Sequence, residues 1–138
     1  MPSEMRRAGA VVLVWGSASA GCTPSYIAPQ YASYSGCPEE KIDVEEMDIG
    51  EKYRASGCGN TVTFHCVNME RCVSPEIIVA RRHAKQFSCS PQDAAVESLG
   101  GDGYIAIGCG QRMTYQCFPD PRHAMRCFAE TAEVESRR

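Results

Sequence analysis

No catalytic signature runs through this chain of 138 residues. It has no Gly-x-Ser-x-Gly elbow and no His-Glu-x-x-His helix, which removes the common hydrolase and metalloprotease patterns. No two cysteines stand close enough for a Cys-x2–4-Cys zinc knuckle or for the Cys-x-x-Cys of a thiol–disulfide enzyme. The stretch Gly100-Gly101-Asp102-Gly103 lacks the Lys-Ser/Thr of a phosphate loop and the carboxylate series of a calcium loop, so it reads as a turn. Positive charge is not in excess: 14 Lys and Arg face 17 Asp and Glu, which leaves no broad basic surface for nucleic acid. No apolar run reaches the 20 or so residues of a helical membrane span.

What is present starts with a leader. Arg6 and Arg7 precede an uncharged run, AGAVVLVWGSASAG, that ends in small residues and meets Cys22. A positive end, a short apolar run and small residues describe a secretory signal peptide over residues 1–21. The SAGC ending resembles a bacterial lipobox, with Ser19 where Leu is usual. Cys22 is then the expected lipid attachment site and first mature residue. The alternatives are ordinary cleavage, with Cys22 left as an unpaired or intermolecular thiol, and an uncleaved apolar N-terminus. Thr23 rather than Asp follows the cysteine, and by analogy with bacterial sorting rules this points to the outer membrane. A periplasmic or secreted protein is the other reading.

Cysteine counting agrees from different residues. Nine cysteines are awkward for a secreted chain. Setting Cys22 aside leaves Cys37, Cys58, Cys66, Cys72, Cys89, Cys109, Cys117 and Cys127, which can all pair in an oxidising envelope. Residues 22–36 carry no charge, two prolines and three tyrosines, and read as a flexible tether. Extended at about 3.3 Å per residue it would reach roughly 45–50 Å.

The rest repeats. YRASGCGNTVTFHC (53–66) and YIAIGCGQRMTYQC (104–117) share seven of fourteen positions at an offset of 51 residues. Two modules follow, at 37–72 and 89–127, with cysteine spacings of 21, 8, 6 and 20, 8, 10. Period-2 alternation marks strands: Ile42 and Val44, then Tyr53 and Ala55, then Val62, Phe64 and Cys66. Turn formers lie between them. The expected fold is small, disulfide-rich and β (α+β): two tandem three-stranded antiparallel meanders joined by a short helix. The helix is the 73–88 connector, with Ser74 as N-cap, Pro75 at the first position and Glu76 toward the positive dipole end. Residues 128–138 read as a polar tail.

Modules of about 40 residues bury too little apolar surface to fold securely without staples. Strand geometry favours Cys37–Cys58 with Cys66–Cys72, and Cys89–Cys109 with Cys117–Cys127. The competing scheme is Cys37–Cys66 with Cys58–Cys72, and its equivalent. The glycines of Gly-Cys-Gly then supply the unusual φ values of a turn that presents a cysteine.

These residues carry a resemblance. Cys37, Pro38, Tyr53, Gly57, Cys58, Gly59 and Cys66, and in the second copy Cys89, Tyr104, Gly108, Cys109, Gly110, Tyr115 and Cys117, resemble a repeat of uncharacterised Cys-rich lipoproteins of myxobacterial type. Phe64 stands where that pattern has Tyr, and Ser90 replaces the proline. The resemblance implies an envelope location and a small β-rich fold, and brings no catalytic residues. The expected function is a non-enzymatic, lipid-anchored binding or structural module. It would use no cofactor or metal, touch the membrane through its lipid, and contact another envelope protein or the cell wall. Partner contacts would concentrate in loops such as 118–126. His65, His83 and His123 read as surface or helix residues, and Glu45 and Glu46 as solvated. The alternative is a periplasmic or secreted zinc-binding or hydrolytic protein without a recognisable motif.

Overall fold

The computed structural model describes residues 24–67 and 71–130. The signal segment, Cys22 and most of the polar tail lie outside the described residues. In chain order the elements are α1 (Ile27–Ser35), a 3-10 turn (Glu39–Lys41), β1 (Asp43–Asp48), β2 (Lys52–Gly57), β3 (Asn60–Val67), β4 (Arg71–Val73), α2 (Pro75–Phe87), a second 3-10 turn (Pro91–Asp93), β5 (Ala95–Gly100), β6 (Gly103–Gly108), β7 (Gln111–Asp120) and β8 (Ala124–Ala129). Strands β1-β2-β3-β4 form one antiparallel sheet and β5-β6-β7-β8 the other. No helix among the described residues is long and apolar enough to cross a membrane.

Each sheet has four strands, not the expected three. The fourth strand folds back on the third, and Cys66 faces Cys72 and Cys117 faces Cys127 directly across the ladder. Their Cα atoms are 4.0 and 3.9 Å apart. The variable last cysteine interval is therefore hairpin length. In the second unit, prolines disguise the strand. Pro119 lies past the last β6 pair, Gly103 with Gln116, and pairs only with Met125 on β8. The Cys117 amide donates toward β6, to the Asp102 carbonyl at 2.9 Å. The nitrogen two residues on points the same way, where no strand needs its missing proton.

Residues 27–35 are not a loose tether. Ile27, Tyr31 and Tyr34 recur at helical spacing and are buried in the first core with Tyr53, Val62 and Phe64. Pro29 sits in the first turn, where an amide has no intrahelical partner to lose. Gly36 ends the helix at φ 75°, donating its amide to the Ala32 carbonyl at 2.8 Å.

The repeat therefore opens with a helix. In both copies a helix leads, through a left-handed residue (Gly36, Ser88), into a cysteine, a 3-10 turn and four strands. The expected connector helix is the first element of unit two. α2 forms where its capping residues indicate: the Ser74 hydroxyl accepts the Ile77 amide at 3.3 Å, and Pro75 occupies the first turn. It serves both cores. Ile77 and Ala80 pack into the first cluster, while Val79 joins Tyr104, Ala106 and Tyr115 in the second.

One polar contact is repeated. Tyr31 and His83 each lie six residues before a cysteine, and both are fully buried. Tyr31 Oη donates toward the carbonyls of Gly57 (2.7 Å) and Asn60 (2.8 Å). His83 Nε2 donates to the Gly108 carbonyl at 2.9 Å, which leaves Nδ1 to accept from the Tyr115 hydroxyl at 3.2 Å. In each unit the helix thus fastens the turn that carries Gly-Cys-Gly. His83 lies on α2, the helix position expected for it, and its ring is buried in the core rather than on the surface.

Candidate functional site

A cleft of about 450 Å³ opens between the two units. Its first wall is an unpaired length of β3. β4 pairs only with His65, Cys66 and Val67, so Asn60–Phe64 have no strand on that side. Its second wall is the edge strand β5, with the preceding 3-10 turn. Tyr34 from α1 and Glu76 from α2 complete it.

Glu76 is the centre of this arrangement. Both carboxylate oxygens lie 3.4 Å from the Thr63 amide, and Oε2 accepts the Ser74 hydroxyl at 3.0 Å. The side chain thus substitutes for the missing strand at the β3 edge. Burial raises its pKa, opposed by its own backbone amide, the Ser74 and Thr63 hydrogen bonds and the Lys52 charge. Its charge reaches tyrosines of both units. Tyr34 is raised by burial first, then by Tyr31 and Glu76. Tyr104 is pushed up to about 12 by burial, with Glu76 and Asp102 adding to it. Asp93 and Glu97 bring two more carboxylates to the lining, and no lining residue among those described is basic.

A carboxyl whose pKa is raised in the fold favours the protonated form there. Its contribution to stability is therefore largest at low pH and is lost as pH rises through the folded pKa. Glu76→Gln removes that titration. The stability of Glu76→Gln relative to the natural protein is expected to increase from pH 4 to pH 7 in parallel urea melts. A difference that stays flat or narrows over that range contradicts the buried-carboxylate account.

The remaining chemistry-bearing side chains are engaged elsewhere. The eight cysteines close Cys37–Cys58, Cys66–Cys72, Cys89–Cys109 and Cys117–Cys127. Most of the 118–126 stretch expected as a loop is strand, the paired ends of β7 and β8, and only residues 121–123 turn between them; there Asp120 accepts the Arg122 amide at 2.8 Å and lies 3.3 Å from His123 Nδ1. Those contacts, the Arg122 amide first, hold its pKa down. His65 is half-buried on β3; burial and the Lys52 charge lower its pKa. Glu46 accepts the Tyr53 hydroxyl at 3.1 Å, and Glu45 lies 3.8 Å from Arg54. Among the described residues no three His, Cys, Asp or Glu side chains gather as a metal site.

The sequence reading brought none of the cleft together. Glu76 was legible as a helix-dipole residue, but its meeting with Thr63 depends on where β4 stops. No family model matches the chain, and neither a curated protein nor a solved structure shows significant similarity to it.

Proposed function

We propose that this chain is a non-enzymatic, lipid-anchored module of the bacterial cell envelope, and that the cleft between its units is the surface that holds a partner. The observation that carries this reading is how the reactive side chains are used. Eight cysteines are consumed as disulfides, His83 spends both ring nitrogens on core hydrogen bonds, and Ser74 caps a helix. The cleft combines carboxylates, amides and a phenol on an accessible surface. Asp93 and Glu97, in a described lining that holds no basic residue, suit a positively charged segment of an envelope protein, or the amino groups of the cell wall. The leader ending at Cys22, the even cysteine count beyond it and the resemblance to Cys-rich lipoproteins of myxobacterial type support the location.

One preparation tests both parts. The membrane fraction is treated with a carbodiimide, which joins carboxylates to adjacent amines, and the protein is then purified and weighed intact and as peptides. The expected mass is that of residues 22–138 plus lipid, with no alkylation before reduction and eight sites after it. Crosslinks are expected at Asp93 or Glu97. A lipid-free mass removes the anchor. Free thiols before reduction reopen metal or thiol chemistry. Crosslinks confined to carboxylates outside the cleft, such as Glu39 and Glu40, reject the cleft as the partner surface.

A further inference from the structure

We infer that one end of the molecule is built to lie in a lipid surface: the apolar hairpin tips formed by Met47 and Ile49, Val67, Leu99 and Phe118. Of the seven large apolar side chains exposed on the described surface, these five lie toward the β1–β2, β5–β6 and β7–β8 turns or at the end of β3, whereas Ile107 lies beside the Gly108–Cys109 turn at the other end. Ile49 is the extreme case at 92 % exposure. It occupies the turn between β1 and β2, where burial cannot explain an isoleucine and turn chemistry disfavours one.

The five tips share an end. The Cys66 amide donates to the Glu51 carbonyl at 2.7 Å, which sets the β1–β2 turn level with the end of β3. The Cys117 amide makes the equivalent bond to Asp102 at 2.9 Å in unit two. Arg71 Nη1 then donates to the Arg122 carbonyl at 3.0 Å and joins the β3–β4 end of one unit to the β7–β8 turn of the other. The opposite end carries both Gly-Cys-Gly turns.

The chain path indicates what covers this end. α1 begins there: Tyr26 Oη lies 3.3 Å from Cys72 Sγ, and Gln30 Nε2 donates to the Cys72 carbonyl at 3.4 Å. The helix runs away from the tips, toward Cys37 and its disulfide with Cys58. Cys22 stands two residues before Pro24, the first described residue, and two residues span at most about 7 Å of chain. Because α1 is packed into the core, a lipid on Cys22 leaves almost no spacer. The anchor and the apolar tips therefore meet the same membrane. This rests on the lipoprotein reading proposed above. Asp48 and Glu51 flank Ile49, so the tips enter by apolar burial and gain nothing from anionic headgroups.

A tryptophan probe reads this directly. The only tryptophan in the chain is Trp15, in the leader. Ile49→Trp would then be a lone fluorophore at the tips of the mature lipoprotein, and Leu99→Trp a second one should the first misfold. Ile107→Trp, exposed beside the Gly108–Cys109 turn, is the control at the far end. Each lipidated protein is reconstituted into phosphatidylcholine vesicles with brominated acyl chains. Quenching is expected to be several-fold stronger at residues 49 and 99 than at 107. Equal or absent quenching in protein that carries lipid and floats with the vesicles overturns the docked end, while leaving the anchor intact. Protein whose intact mass shows no lipid on Cys22 fails at the anchor instead, and the docked end falls with it.

Discussion

Replacing Cys37 and Cys58 together by serine is expected to cost about 3 kcal/mol, and to destabilise both units at once. The bond closes a sequence separation of 21 residues, and loops of that size give about 3 kcal/mol in the chain-entropy account. The Cys66–Cys72 bond closes a separation of 6 within a hairpin already paired across those positions, so its removal is expected to cost about 2 kcal/mol. The shared helix makes the loss global. α2 contributes Ile77 and Ala80 to one core and Val79 to the other, and Val96 packs against both. Neither unit keeps a complete core if the other opens. Urea unfolding followed by tyrosine fluorescence and by far-UV circular dichroism checks this. One coincident transition, moved to lower urea, is the expected result. Two separated transitions in the variant, with the second unchanged, would show independent modules and refute the shared core.

The strands bearing Tyr53 and Phe64 were legible because alternation and burial coincide in them, and those bearing Tyr104 and Tyr115 because they repeat the same motif, although β6 buries Gly103 to Ala106 in succession. α2 was legible for a different reason, since Ser74 and Pro75 mark a helix start whatever the tertiary setting. α1 was hidden by its own chemistry. It has no charged residue, carries a proline and follows a leader, all features of a linker, yet Ile27, Tyr31 and Tyr34 form a buried stripe. β4 and β8 were hidden because a strand of three residues, or one reached through Pro119 and Pro121, leaves little alternation to detect. The cleft was out of reach for the same reason. Glu76 meets the Thr63 amide only because β4 ends at Val73 and exposes the β3 edge. The pairing of Tyr31 with Gly57 and of His83 with Gly108 leaves a trace in the sequence as a constant interval to the next cysteine. Tyr and His share no pattern, however, so the equivalence appears only when both reach the same carbonyl.

That carbonyl belongs to the first glycine of Gly-Cys-Gly, and Gly108→Ala is expected to be the most damaging single methyl in the molecule. The sequence reading gave both glycines one role, to allow unusual φ. The structure divides the roles. Cys109 (φ 58°) and Gly110 (φ 73°) are the left-handed pair at the centre of a two-residue hairpin turn. A Cβ on Gly110 would meet nothing within 4 Å, so Gly110→Ala carries backbone strain alone, about 1 kcal/mol. A Cβ on Gly108 would collide with the Asp93 carbonyl and stand 2.9 Å from the Ala94 Cα. Both are backbone atoms of the 3-10 turn and cannot swing aside. Relief requires that turn to move away, dragging the His83 hydrogen bond with it, and such overpacking costs about 3 kcal/mol. Gly57 has the same neighbourhood, with the Lys41 carbonyl 2.7 Å from its Cβ position and Cys37 Sγ at 3.1 Å. The expected order of melting temperatures is therefore natural protein, then Gly59→Ala and Gly110→Ala together, then Gly57→Ala and Gly108→Ala well below. If the second glycine of each turn proves the costlier, the motif serves only to bend the chain, and the close seat of the 3-10 turn against the first glycine contributes little. If the first proves costlier, the repeated Gly-Cys-Gly is a packing site, where helix, 3-10 turn and disulfide converge on a backbone that has no room for a side chain.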